Sequence, residues 1–347
     1  MVDKGLGTGS PGWAGDFRFP RKLGNLVSEE HAVNYQDRLT ANLWWYRQQF
    51  TETRLATADG RTIRFSCRRQ NKSRALVIIV NGRTEFIEKY IEVLRDLQLD
   101  GISYALYDHC GQGDSDRLLS DPEKGHIDRF YRYVDDLEKV VQACRSFFGS
   151  IPIHLLCHSM GGTIAWLYCA DHPAAVASMI LSAPMFAIQT GVSIPLFMVE
   201  SIARFCCRNG MADRYVVTTG PYDRDPPFED NELTADPDRF AFNVFMTGSL
   251  PFAPIGGPTY GWLCEAFSAM RRCRRVIGRI DCPVYFLVGS EDRVVGIDSI
   301  EQMAAEVHGL YQAFKHGRHE LMMETPMLRQ RVLELMREIL EGRVRGI

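Results

Sequence analysis

The sequence predicts an α/β protein: a mainly parallel sheet with helices on both faces and a helical insertion late in the chain. Three observations carry this. First, apolar runs of strand length recur: ALVIIV (Ala75 to Val80), ISYALY (Ile102 to Tyr107), IHLLC (Ile153 to Cys157), ASMILS (Ala177 to Ser182) and VYFLVG (Val284 to Gly289), with a shorter LYQAF from Leu310. Runs that do not alternate belong to strands buried on both faces. Second, segments with helical spacing separate them, which is the alternation of crossover units. Third, about a hundred residues lie between Pro184 and Pro283, where a crossover needs roughly a dozen.

Taken in order, about the first 35 residues are rich in glycine and charge and show no periodicity, as expected of a loosely held arm. Leu39, Leu43, Tyr46 and Phe50 then fall on one helical stripe. Glu52 to Ala56 and Thr62 to Arg68 flank ADG and predict a β-hairpin. Helices are expected from Ile87, Phe130, Gly162 and Ile297 and near the C-terminus. The expected division is an arm and helix over residues 1–50, a first core part over 51–184, a cap insertion over 185–265 and a second core part over 266–347.

Forty basic and forty-three acidic residues leave a formal charge of −3, so no electrostatic footprint for nucleic acid is present. The ten cysteines include no C-x-x-C pair, which argues against a zinc or redox site and for reduced packing residues. The N-terminus lacks an apolar signal core, and the run GVSIPLFMVESIARFCC is broken by Pro195, Glu200 and Arg204. A cytoplasmic protein is expected, with peripheral membrane contact left open. The cluster RRCRR (Arg271 to Arg275) reads as a solvated helix face or a patch for anionic headgroups.

Ligands of open parallel sheets bind beyond the carboxyl ends of the strands, so the residues that follow each run are the candidates. After IHLLC, CHSMGG puts Ser159 at a strand-to-helix bend, close to the nucleophile pattern G-x-S-x-G but with Cys157 in place of the first glycine. After ALVIIV, NGRTE turns the N–H of Arg83 toward the same point as the N–H of Met160, a two-donor oxyanion hole. After VYFLVG come Glu291 and Asp292, and after LYQAF come His316 and His319. His319 is preferred as base because His316 precedes the loop glycine. His158 is set aside because neighbours in an extended segment face opposite ways. His308 suits a helix C-terminus, and His109 a loop near the site. Serine, acid and histidine in that order, each after its own strand, form the chain order of a hydrolase triad.

These motifs resemble the α/β-hydrolase superfamily, in the branch that holds bacterial lysophospholipase L2 and the monoacylglycerol lipases. VNGRTE, YDHCGQGDSD, CHSMGG, LSAPMF, FEDNELTADPDRF, GGPTYGWL, VGSEDRVV and GRHELMMET carry the resemblance from about Phe50 onward. It implies the α/β-hydrolase fold, Ser159 as nucleophile, His319 as base, Asp292 as orienting acid, and Arg83 and Met160 as oxyanion donors. Asn81 and Cys157 depart from the family pattern.

The expected activity is hydrolysis of a carboxylic ester of a monoacyl lipid, with no metal or organic cofactor and a small lipid or ester as ligand. Met185, Phe186 and Phe197 are the expected substrate contacts within an apolar cap that also holds Ile188, Ile194, Leu196 and Met198. The alternatives are a short-chain carboxylesterase, a monoacylglycerol lipase or a prolyl aminopeptidase on the same fold, and a non-catalytic binding protein.

Overall fold

The computed structural model describes residues 29–191 and 194–344. Most of the expected N-terminal arm lies outside them. Helix α1 (Glu29–Gln49) leads into the hairpin β1 (Thr51–Ala56) and β2 (Thr62–Arg68), which pair antiparallel. Strand β3 (Ala75–Val80) is followed by a 3₁₀ turn over Ile87–Tyr90 and helix α2 (Ile91–Asp96). Then come β4 (Ile102–Tyr107), α3 (Tyr131–Phe148), β5 (Ile153–His158), α4 (Met160–Asp171) and β6 (Ser178–Ser182). The long interval holds α5 (Leu196–Arg208), α6 (Pro237–Ser249) and α7 (Tyr260–Arg275). Strand β7 (Val284–Gly289), α8 (Ile297–Glu306), β8 (Leu310–Phe314) and α9 (Pro326–Leu340) complete the chain.

Among the described residues the strands form one eight-stranded sheet in the order β1-β2-β4-β3-β5-β6-β7-β8. β1, β2 and β4 pair antiparallel, and every pair from β4/β3 to β7/β8 is parallel. Side chains alternate across the sheet with period two, so each apolar run supplies two cores. Leu76, Ile78 and Val80 enter one apolar layer, with α3, α4, α7 and α8, while Ala75, Val77 and Ile79 enter the other, with α1, α2, α6 and α9. This two-sided burial is why the runs are mainly apolar on both faces rather than alternating apolar with polar.

The three helices of the interval take different partners. α5 packs on α7, and α7 packs on α4, where the Trp166 indole N–H donates to the Cys273 carbonyl at 3.1 Å. α6 lies on α1, with Tyr35 between Phe242 and Phe245 and its hydroxyl 2.8 Å from Asp238. Their starts are written in the sequence: Asp236 caps the Arg239 N–H at 2.9 Å with Pro237 in the first turn, and Thr259 caps the Trp262 N–H at 3.3 Å. All ten cysteines are unbridged. Among the described residues no helix is long and apolar enough to cross a membrane.

Candidate active site

Ser159 stands between β5 and α4 with φ 50° and ψ −116°. A residue with a β-carbon adopts this conformation only where its surroundings enforce it. Three backbone bonds do so: the Ser159 N–H donates to Ser182 O at 3.0 Å, and its carbonyl accepts from Gly162 at 2.9 Å and Met185 at 3.0 Å. The helix then passes so close to β3 that a β-carbon on Gly161 would lie 2.0 Å from the Val80 carbonyl oxygen. Cys157 is fully buried in the layer beneath α4, and burial holds its thiol well above the ordinary value, so it stays protonated.

Asp292 and His319 meet at the ends of β7 and β8. His319 Nδ1 lies 2.8 Å from Asp292 Oδ2, and Asp292 Oδ1 accepts from the N–H groups of Val294 at 2.8 Å and Val295 at 3.1 Å. Burial opposes the Asp292 charge, but the His319 bond and charge and the two backbone donors outweigh it and hold the carboxyl below its ordinary value. The ring is thereby fixed with Nε2 toward the cavity side, the arrangement in which an imidazole can take a proton. His316 and Glu291 also pair, at 2.8 Å, but the His316 side chain is 70% exposed and stands outside. The Ser159 hydroxyl and His319 line one cavity without a direct hydrogen bond among the described residues, the looser geometry common before substrate binds.

Among the described residues the N–H groups of Arg83 and Met160 have no hydrogen-bond acceptor, as donors kept for a developing oxyanion would. A buried ionic cluster braces this turn. The Glu85 carboxylate accepts from the Gly82 N–H and, at 2.6 Å, from the Tyr90 hydroxyl, while Lys89 Nζ lies 2.9 Å from Glu85 and 2.6 Å from Glu320. His158 Nδ1 is 3.1 Å from Glu85, and its Nε2 is 3.3 Å from the His319 carbonyl oxygen. Burial works against each charge. Even so, Glu85 is held well below its ordinary value by His158 and Lys89, and His158 is raised by Glu85.

The sequence assigned no role to Glu85, Lys89 or Glu320 and set His158 aside. His158 in fact packs its ring 4.8 Å from that of His319 and lines the cavity, because the bend at Ser159 ends the extended geometry on which the alternation argument rests. The one available signal was the i,i+4 spacing of Glu85 and Lys89. His109 is buried with Nε2 2.9 Å from the Asn81 carbonyl, and burial pushes its imidazole down to about 4. Asn81 is buried too, its amide donating to Tyr107 O at 3.3 Å.

The cavity measures about 600 Å³ and its walls are mainly apolar, with Ile188, Val199, Ile202, Leu263 and Val295 among them. Met185 is part of the wall. Phe186 is not: it is buried between Trp166 and Phe286. Phe197 is 69% exposed on the outer side of α5.

Residues 71–326 match the family described as serine aminopeptidase, S33. The chain belongs to this α/β-hydrolase family. Within it, the chain is 31% identical over 262 residues to the probable lysophospholipase L2 of Haemophilus influenzae, covering 75% of this chain and 82% of that one. It is 35% identical over 255 residues to lysophospholipase L2 of Escherichia coli K12, covering 73% of each. Human monoglyceride lipase is 26% identical over 257 residues, covering 73% of this chain and 78% of that one. Among solved structures, a soluble variant of monoglyceride lipase from Saccharomyces cerevisiae shares the fold at TM-score 0.66 and 19% identity, covering 86% of this chain and 96% of that one. A carboxyl esterase from Bacillus coagulans does so at TM-score 0.71 and 18% identity, covering 85% and 98%.

Proposed function

We propose that this family member is a serine hydrolase that cleaves carboxylic esters of monoacyl lipids through an acyl-enzyme. The carrying observation is a strained serine that opens on an apolar cavity together with a histidine bonded to a buried aspartate. On this reading His319 takes the Ser159 proton as the hydroxyl attacks the ester carbonyl, and Asp292 keeps the imidazole in the required tautomer. The N–H groups of Arg83 and Met160 stabilise the oxyanion. His319 then returns the proton to the leaving alcohol, and water hydrolyses the acyl-enzyme by the same path. Within residues 185–265, α5 and the stretches that carry Ile188, Val217, Leu233 and Pro258 serve as the cap, while α6 packs on α1.

The lipid substrate is supported by the apolar cavity, where each buried methylene of an acyl chain contributes about 0.8 kcal/mol. It is also supported by the relatives, because lysophospholipase and monoglyceride lipase are both names for enzymes of singly acylated lipids. Contact with a lipid surface belongs to the same reading. Ile194, Leu196, Phe197, Met198, Ile202, Phe205 and Val217 are all exposed on or beside α5, and Ile194, Ile202 and Val217 also line the cavity. Apolar exposure concentrated at a cavity mouth marks a contact surface.

The test is labelling by a fluorophosphonate probe. Modification mapped to Ser159, and absent in Ser159→Ala, is the expected result; an unlabelled but folded wild type would overturn the reading. Turnover of lysophosphatidylcholine, monoacylglycerol, p-nitrophenyl butyrate and proline amides then fixes the substrate class. Rapid cleavage of the short ester or the amide, with both lipids untouched, would replace the lipid assignment.

A further inference from the structure

Resting on this ester-hydrolase reading, we infer that Gln112 is a positioning residue of the reaction: its side-chain amide bonds the backbone on both sides of Arg83 and aims the Arg83 N–H at the oxyanion. The motif DHCGQGDSD after β4 is thus the frame of the oxyanion hole, although its residues stand outside the cavity lining.

Gln112 Nε2 donates to the Gly82 carbonyl at 3.0 Å, and Oε1 accepts from the Thr84 N–H at 3.1 Å. The amide has one way to sit, because Gly82 offers it an acceptor and Thr84 a donor. The Gly82 carbonyl and the Arg83 N–H belong to a single peptide unit, which is planar and trans, so the two groups point in opposite directions. Holding the carbonyl toward Gln112 therefore turns the N–H away from it, toward the cavity that Arg83 and Ser159 line. On the other side, Thr84 has φ 63°, a conformation that a β-carbon disfavours, and its bond to Gln112 opposes relaxation of the turn.

The rest of the motif keeps Gln112 in place. The residue is buried; its own N–H donates to the His109 carbonyl at 3.0 Å, and its carbonyl accepts from the Ser115 N–H at 3.1 Å. Next to it Gly113 has φ 50°, and a β-carbon there would lie 2.2 Å from Asp108 Cγ, so this tight turn requires glycine. Asp108 in turn accepts from the N–H groups of Asp114 and Ile87, each at 2.9 Å, and His109 Nε2 lies 2.9 Å from the Asn81 carbonyl oxygen. Asp108, His109 and Gln112 therefore tie this loop to the loop after β3 at Asn81, Gly82, Thr84 and Ile87, on either side of Arg83. The Gly82 N–H is taken by Glu85 and the Thr84 N–H by Gln112. That leaves the Arg83 N–H as the donor of this turn with no acceptor among the described residues.

Direction decides what such a donor contributes. A donor aimed in advance at the place where charge develops needs no reorganisation at the moment of reaction, and it stabilises the transition state more than the neutral ester. Loosening Gln112 therefore lowers kcat, while KM, which rests on the apolar wall, changes little.

The experiment measures kcat and KM on whichever of the esters named above the wild type turns over, together with the Ki of a long-chain alkyl trifluoromethyl ketone. The Ser159 hydroxyl adds to that carbonyl and leaves a tetrahedral oxyanion, so the Ki reports the oxyanion hole directly. The proteins are wild type, Gln112→Met, which removes both bonds at similar volume, and Gln112→Asn, whose shorter amide can reach one of the two groups; each is checked for an unchanged thermal transition, and either variant still tests the inference should the other fail to fold. The expected result for Gln112→Met is a kcat lower by roughly 10–100-fold, short of the 10²–10³ for outright loss of a donor. Its KM should stay within about twofold, and the ketone Ki should rise in proportion to the fall in kcat/KM. Gln112→Asn should show a smaller fall of the same kind. A wild-type kcat in a folded variant, a lower kcat with an unchanged ketone Ki, or a rise in KM alone would overturn the positioning role and leave the hydrolase standing. Absence of Ser159-dependent cleavage of any ester by the wild type removes the hydrolase reading and the inference together.

Discussion

Asp292 and Glu291 are adjacent in sequence, yet only Asp292 is buried against the N–H groups of Val294 and Val295 while its other oxygen meets His319. Asp292→Asn keeps the shape but favours the wrong imidazole tautomer, so kcat is expected to fall on the order of 10³–10⁴. His316→Ala alters only the exposed pair with Glu291, and its kcat should match wild type; steady-state kinetics on one ester checks both. Glu85 has a different role, because it joins the Gly82 amide to Lys89 and His158. Glu85→Gln takes one of two carboxylates from buried Lys89 and the facing carboxylate from His158, which should cost roughly 3–5 kcal/mol in denaturant unfolding. The sign of its pH dependence follows from the shifts. Glu85 is depressed in the folded state, so its contribution is complete above the ordinary 4.5 and is lost as pH falls through the folded value. His158 is raised, so its share is complete below 6.5 and is lost as pH rises through its folded value. The melting-temperature gap between wild type and Glu85→Gln is therefore widest from about 4.5 to 6.5, and a gap independent of pH would contradict the coupling. Ser159, Asp292 and His319 were legible as candidates because each follows its own strand. The Glu85 cluster was legible only in the i,i+4 spacing of Glu85 and Lys89, because His158 and Glu320 come from distant segments that no local pattern joins to that pair.

At the scale of elements, α5 is amphipathic: Glu200, Ser201, Arg204 and Arg208 share one face at helical spacing, and Phe197 falls among them. Val199 and Ile202 line the cavity, Ala203 and Cys206 are buried, and Met198 and Phe205 point outward. That is why Phe197, expected inside, stands outside. The outer face lies beside a basic group, with Arg204, Arg271, Arg272, Arg275 and Arg279 around one shallow hollow. Glu200 takes Arg204 and Arg271, and Asp171 takes Arg272 and Arg279. An apolar stripe with arginines at its border suits an anionic lipid surface, where each nearby basic residue contributes about 1 kcal/mol. Ser159→Ala protein should therefore sediment with phosphatidylglycerol vesicles and less with phosphatidylcholine vesicles, with an affinity that falls as salt rises. Met198→Ser combined with Phe205→Ser should reduce that binding, since each removes exposed apolar surface without touching the cavity wall. Equal sedimentation of wild type and double variant would remove α5 as the contact surface.

For the molecule as a whole, the sheet was the most legible part, because strands buried on both faces leave mainly apolar, non-alternating runs in the sequence. The destination of α6 was not legible. Its capping residues mark where it starts, but nothing local indicates that it packs on α1 rather than over the cavity. The contact is specific: Arg38 meets Glu92 at 2.6 Å and Asp238 at 3.0 Å, so one side chain ties α1 to both α2 and α6. Leu39, Leu43, Tyr46 and Phe50 are buried in the same layer as Phe242 and Phe245. The N-terminal helix thus closes the second core rather than merely preceding it. Leu39→Ala should cost about 2–5 kcal/mol, the range for a buried leucine whose cavity the surroundings fill only in part. Val33, 59% exposed on the same helix, should tolerate alanine within about 0.5 kcal/mol. In guanidinium unfolding the Leu39 variant should show a lower midpoint with an unchanged slope. Its kcat well below the transition should equal wild type, since Leu39 takes no part in the cavity wall. A Leu39→Ala protein that unfolds with the Val33→Ala protein would mean that α1 rests on the surface and that the second layer is complete without it.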